Sequence, residues 1–169
     1  MVDTDQLMVL VHSPFLGASA WGWVARELEQ RGRRAVVPSL RPVVDEPYRP
    51  WRDVWETLDA VSAHRASKLV LVGHSHVPLA IVLSDDEFAG GHAPGGTDVD
   101  LGTDARLLLN PGSVGQPRDG DPRAAWLLLD FGSGRAQFRR ASYPVERTQE
   151  EIRERGLPDA LAERLARGV

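Results

Sequence analysis

No cysteine occurs among the 169 residues, which excludes disulfides and thiolate metal sites and gives no reason to expect an oxidising compartment. The N-terminus, Met1-Val2-Asp3-Thr4-Asp5, lacks the basic segment of a secretory signal, and no apolar run approaches membrane-spanning length. The expectation is a soluble cytoplasmic protein without a membrane partner. Basic residues are outnumbered, 20 Lys and Arg against 24 Asp and Glu, for a net charge of −4. That balance argues against nucleic-acid binding. The deficit is local. No Lys or Arg lies between Lys68 and Arg106, whereas Asp85, Asp86, Glu87, Asp98, Asp100 and Asp104 all do. The rest is ordinary for a globular chain, at 42% apolar and 26% charged. This length fits a single domain, 1–169, with a real core.

The first part of the chain reads as alternating strands and helices. Gln6–Val11 is an apolar run ending at His12-Ser13-Pro14, a buried strand. Trp21, Val24, Ala25 and Leu28 recur at helical spacing, with Ser19 as N-cap and Gly32 as stop. Ala35–Val37 is a second strand. After a proline-rich loop, Trp51, Val54, Trp55, Leu58 and Val61 share one face of a helix near 51–64, and Lys68–Val72 is a third strand. This βαβαβ spacing predicts parallel strands joined by right-handed crossovers.

After His76 the pattern changes. Residues 84–104 are rich in Gly and Asp and lack periodicity, which predicts an exposed, mobile loop holding His92. Arg106–Leu109, Ala124–Asp130 and Ala136–Arg140 are strand-like runs separated by turn signals, and short spacings favour antiparallel pairing. Two short helices follow, near 146–155 and 158–167, with Leu157, Leu161 and Leu165 as an apolar stripe on the second. The predicted fold is α/β: a mixed sheet with a parallel N-terminal part, an antiparallel C-terminal part, and helices on both faces. The tryptophans sit on helix faces or in a strand and read as core.

The chemistry concentrates at Gly73-His74-Ser75-His76. Ser75, on a turn after a buried strand, is a candidate nucleophile or a turn residue whose hydroxyl bonds local backbone. His74 and His76, at i and i+2 on a strand end, would project to the same side and could hold one or two divalent ions. The alternative is one packed and one exposed histidine. His12 reads as the end of a strand and His64 as a solvated helix end. The acidic loop is either a source of further carboxylate ligands or a solvated surface. No cofactor-binding motif is present.

Two family resemblances meet at that tetrapeptide. Residues 7–75 resemble the N-terminal half of an α/β-hydrolase. His12-Ser13-Pro14-Phe15-Leu16-Gly17 looks like its oxyanion loop, and Leu71-Val72-Gly73-His74-Ser75 like its nucleophile elbow. The closing glycine of that elbow is replaced by Val77, Pro78 follows, and no strand-end Asp…His pair comes later in the chain. Ser75 therefore reads as a vestigial catalytic residue.

Residues 71–169 resemble the C-terminal half of a bacterial calcineurin-like metallophosphoesterase, through Gly73-His74-Ser75-His76-Val77-Pro78, Asn110-Pro111-Gly112-Ser113-Val114-Gly115-Gln116-Pro117-Arg118 and Val145-Glu146-Arg147. That resemblance implies His74 and His76 as metal ligands. The Asp-x-His, Gly-Asp and Gly-Asn-His motifs that the family carries in its N-terminal half have no counterpart in residues 1–75.

The expectation is a chimera-like chain of two half-domains, 1–75 and 76–169. Its function is that of a hydrolase-derived protein, closest to a metal-dependent phosphoesterase. Its site is incomplete, with one weakly bound Zn or Mn ion, and its activity is marginal or absent. Two alternatives stand beside it, a serine esterase with a displaced triad and a non-catalytic recombined or designed fold. The substrate, presumed small, and the oligomeric state are not legible in the residues.

Overall fold

Three Leu- and Val-rich segments from distant parts of the chain pair side by side in one register. The computed structural model describes residues 7–12, 17–38, 68–84 and 87–169. Strand β1 (Met8–Leu10) pairs in parallel with β2 (Ala35–Val36) and β3 (Leu69–Leu71), and β3 pairs in parallel with β7 (Arg106–Pro111). The rungs Met8–Leu69–Leu107 and Leu10–Leu71–Leu109 run straight across the three strands. All six of these side chains are buried on one face, while Val9 and Val70 are buried on the other. Burial on both faces is why these strands read as continuous apolar runs rather than alternating ones.

The sheet continues with β4 (Pro78–Ser84), antiparallel to β7, and β5 (Glu87–His92), antiparallel to β4. Its order is β2-β1-β3-β7-β4-β5. A second, three-stranded sheet orders β6 (Asp98–Asp100), β9 (Arg135–Ala141) and β8 (Ala124–Asp130). Ala136 and Phe138 of β9 join the leucines of the first sheet in one core cluster. The fold is thus mixed α/β with parallel and antiparallel pairing, as expected.

Helix α1 (Gly22–Gln30) buries Leu28 and packs Ala25 against the core, and Trp21 just before it packs there too. The expected Ser19 side-chain cap is absent. A 3-10 turn (Ala18–Trp21) leads in, and the Ser19 carbonyl accepts the Gly22 N–H. Helices α2 (Val145–Glu154) and α3 (Asp159–Arg167) close the chain. The Gln149 side-chain amide donates to the Ala162 carbonyl at 2.8 Å, and Leu165 is buried while Leu157 is exposed.

Several expectations are corrected. The described part of 84–104 is not a loop: it carries β5 and β6, and Gly90 and Gly91 lie against β4. A Cβ at Gly90 would lie 2.1 Å from the Ala80 carbonyl oxygen, so glycine there permits close strand approach and hides the strand from a propensity reading. Strand β7 is parallel to β3, because it enters the sheet beside the N-terminal strands rather than beside β8. Nor are all tryptophans core. Trp23 is 81% exposed with the Arg26 guanidinium 5.3 Å from its ring centroid, and Trp126 is 40% exposed on the outer face of β8. The expected helix 51–64, with Trp51, Trp55 and His64, lies outside the described residues, as does the loop 13–16.

Candidate metal centre at the strand ends

Parallel pairing brings the C-terminal ends of β1, β3 and β7 to one edge of the sheet, the place where open α/β sheets carry their sites. The Val72 N–H still bonds the Leu109 carbonyl at 2.9 Å, and the chain then leaves the ladder. The Ser75 N–H turns back onto the Gly73 carbonyl at 3.0 Å, a three-residue turn centred on His74 at φ 75°. His76 follows at φ 60°. These two histidines are the non-glycine residues with positive φ among the described residues. Left-handed backbone costs a non-glycine residue on the order of 1 kcal/mol, so the surrounding structure must hold the turn. Strand alternation therefore does not set the directions of His74 and His76, contrary to expectation, because both lie beyond β3.

The clamp is Asn110, at the end of β7 and 1% exposed. Its Nδ2 donates to the Gly73 carbonyl at 3.1 Å and to Ser75 Oγ at 2.9 Å, while its Oδ1 accepts the Gly112 N–H at 3.0 Å. One buried amide thus ties the histidine turn to the Asn110-Pro111-Gly112-Ser113 loop. That loop gives a second tie. His76 Nδ1 lies 2.8 Å from the Gln116 carbonyl, and the Arg118 N–H donates to the His76 carbonyl at 3.2 Å. A carbonyl only accepts, so Nδ1 carries the proton and Nε2 keeps a free lone pair. This is the tautomer and support that metal-binding imidazoles commonly have. His76 is half-buried, and His74 and Ser75 are exposed.

Ser75 is engaged otherwise. Its hydroxyl accepts from Asn110 and from the Val77 N–H at 3.3 Å, and no imidazole among the described residues bonds it. The serine stitches the turn, and among the described residues it faces no base. His12 is buried at the end of β1, two rungs beyond the Leu10–Leu71 pair, on the same sheet edge as Gly73. Among the described residues no three His, Asp or Glu side chains gather closely enough to hold a metal. The donor chemistry of His76 fits a divalent ion; any further donors would be His74, water, or residues outside the described set.

The neighbouring feature that the sequence concealed is an Asp…His pair. His92, the last residue of β5, places Nε2 3.1 Å from Asp119 Oδ2. Asp119 also pairs with Arg140 of β9, and both of these side chains are almost fully buried. The Arg140 Nη1 donates to the Arg123 carbonyl at 2.9 Å. Beside them Asp121 is held at a pKa of about 2, below its ordinary 3.8. The bonded Arg123 side chain is the main cause. Partial burial opposes the shift, and the Arg123 backbone N–H and the Arg140 charge add to it. Twenty-seven residues separate His92 from Asp119, and only the antiparallel return of β4 and β5 brings them together.

The architecture matches a known class. The crystal structure of a metallophosphoesterase from Sphaerobacter thermophilus superposes with a TM-score of 0.60 at 30% identity, covering 100% of this chain and 57% of that one. The fold is metallophosphoesterase-like. An uncharacterized protein of Methanocaldococcus jannaschii is 35% identical over 119 residues, 69% of this chain and 47% of that protein. The chain spans about half the length of both. No protein-family model matches it. The structural match includes the N-terminal part, and β3 and β7 share one parallel register across the supposed junction. The resemblance of residues 7–75 to an α/β-hydrolase, and with it the chimera reading, is left without support.

Proposed function

We propose that this chain is a metal-dependent phosphoesterase relative in which His74 and His76 hold a single divalent ion, zinc or manganese, with a partial ligand set. The observation that carries this reading is His76, half-buried, fixed through Nδ1 by the Gln116 carbonyl and offering Nε2 as a neutral donor. The metallophosphoesterase-like fold supports it. The substrate class is a small phosphoester, and turnover is slow, because two imidazoles leave most of an ion's coordination positions to water. When bound, the ion supplies positive charge to a phosphoryl oxygen and acidifies nearby water. The chain's own residues set the geometry. Asn110 and the Gln116 carbonyl fix the turn, and exposed His74 leaves it open to solvent.

Calorimetric titration with zinc or manganese at neutral pH tests the reading. The expected result is weak binding that disappears in His74→Ala/His76→Ala. Absence of binding, or binding that survives the double substitution, overturns it in favour of a non-catalytic protein.

A further inference from the structure

We infer that a cleft at the start of β1 and β2, lined by Arg33 and Arg34, binds a small phosphate monoester that also carries a hydroxyl group. The site stands apart from His74 and His76 and does not depend on the phosphoesterase reading.

Sequence and backbone place the two arginines. In a chain of net charge −4, Arg31-Gly32-Arg33-Arg34 concentrates positive charge. Helix α1 ends there. Gly32 takes φ 70°, its N–H donates to the Glu29 carbonyl at 2.9 Å, and the Arg33 N–H donates to the Leu28 carbonyl at 2.8 Å. This pattern closes a helix C-terminus, so those two carbonyls are occupied and do not compete for the guanidinium groups. The Met8 N–H donates to the Arg34 carbonyl at 2.9 Å, which sets the arginines at the start of β2 beside the start of β1. Because β1, β2 and β3 run parallel, this is the sheet edge opposite the Gly73–His76 turn.

The cleft has a volume of about 440 Å³, and Glu29, Arg33 and Arg34 line it with Leu7, Ala35 and Val36 as an apolar wall. That volume exceeds a phosphate ion and suits a small ligand, so an attached organic group has room. Among the described residues no carboxylate pairs with Arg33 or Arg34, whereas neighbouring Arg31 is paired with Glu27 at 2.6 Å. Arg33 is half-buried, with its guanidinium 4.4 Å from the Phe131 ring centroid. Stacking uses the flat face of a guanidinium and leaves its N–H edge free, so the group is held ready for an oxyanion. Two guanidinium groups suit a phosphate dianion, whose three terminal oxygens can accept from both. Glu29 has no cationic partner among the described residues. A carboxylate only accepts, so it repels a bare dianion and takes the O–H of a hydroxyl-bearing one. A single cleft that includes a carboxylate does not make the basic stripe that follows a nucleic-acid backbone.

Calorimetric titration without divalent ions, using glycerol 3-phosphate and inorganic phosphate as probes, tests the site. Both should bind the wild type, glycerol 3-phosphate the more tightly, and both should bind His74→Ala/His76→Ala equally well. Arg33→Met/Arg34→Met should weaken both by roughly tenfold or more, the scale of lost charge-assisted hydrogen bonds. Arg34→Gln alone changes an exposed side chain and should weaken both probes even if the double variant folds poorly. Phe131→Leu, which removes the ring beneath Arg33, should weaken both about two- to fivefold. In Glu29→Gln, inorganic phosphate should tighten and the advantage of glycerol 3-phosphate should vanish. Absence of binding, binding that survives the arginine substitutions, or binding lost in His74→Ala/His76→Ala overturns the proposal. A single-stranded oligonucleotide that binds more tightly than both probes, and fails to bind the arginine variants, would assign the arginines to nucleic acid and overturn it as well.

Discussion

The side-chain amide of Asn110 lies 2.9 Å from the Ser75 hydroxyl, and through that contact the end of β7 holds the turn that carries both candidate ligands. Without it the turn carrying the two left-handed histidines loses its tie to β7, and the Gly73 carbonyl and the Gly112 N–H also lose their partner. Asn110→Ala should therefore destabilise the fold by about 2–4 kcal/mol in denaturant unfolding, the scale expected when three hydrogen bonds to one buried amide are lost together. Ser75→Ala removes one of these ties and should cost only about 1 kcal/mol. Equal effects of the two substitutions would contradict the clamp.

Gly112 sits at φ 85°, and a Cβ there would lie 2.9 Å from both the Ala125 Cβ and the Pro78 Cγ. Backbone conformation and space both demand glycine. Gly112→Ala should cost roughly 1–3 kcal/mol. For a chain of this size that lowers Tm by about 3–10 °C, measurable by scanning calorimetry.

Arg140 and Asp119 form an ion pair in which both side chains are nearly excluded from solvent. Removing one member strands the other's charge. Arg140→Met should destabilise by about 3–5 kcal/mol, and Arg140→Met/Asp119→Leu should recover most of the loss. If the double variant were as unstable as the single one, stranded charge would not be the cause.

Asp121 has its folded-state pKa lowered from 3.8 to about 2, chiefly by the bonded Arg123 side chain. A depressed carboxylate stabilises the fold above its unfolded pKa, and that contribution is lost as pH falls through the folded value. The window is thus from about pH 4 down to about pH 2. In Asp121→Asn, acid unfolding should show a shallower decline of stability across that window than in the wild type. A parallel curve would show that Asp121 contributes nothing to acid sensitivity.

Local sequence determined several elements without help. Continuous apolar runs at Met8–Leu10 and Leu69–Leu71 specify buried strands, because a strand covered on both faces has no polar side to show. Turn signals framed β8 and β9, and helical spacing fixed Leu28 and Leu165 as buried. The Gly-His-Ser-His motif marked the candidate metal site by composition alone. What the sequence could not carry was pairing between distant segments. Glycine-rich β5 looked like a loop because its strand character comes from close approach to β4, not from its own side chains. The left-handed backbone of His74 and His76 is imposed by Asn110 and Gln116, 34 or more residues away, so strand alternation gave the wrong geometry there. The Asp119–His92 pair exists only because two antiparallel returns bring a strand end and a loop together. Sequence fixes which residues are buried and which bear chemistry, through local periodicity and residue type. Tertiary structure decides which of them meet, because hydrogen-bonded register, not proximity along the chain, sets those distances.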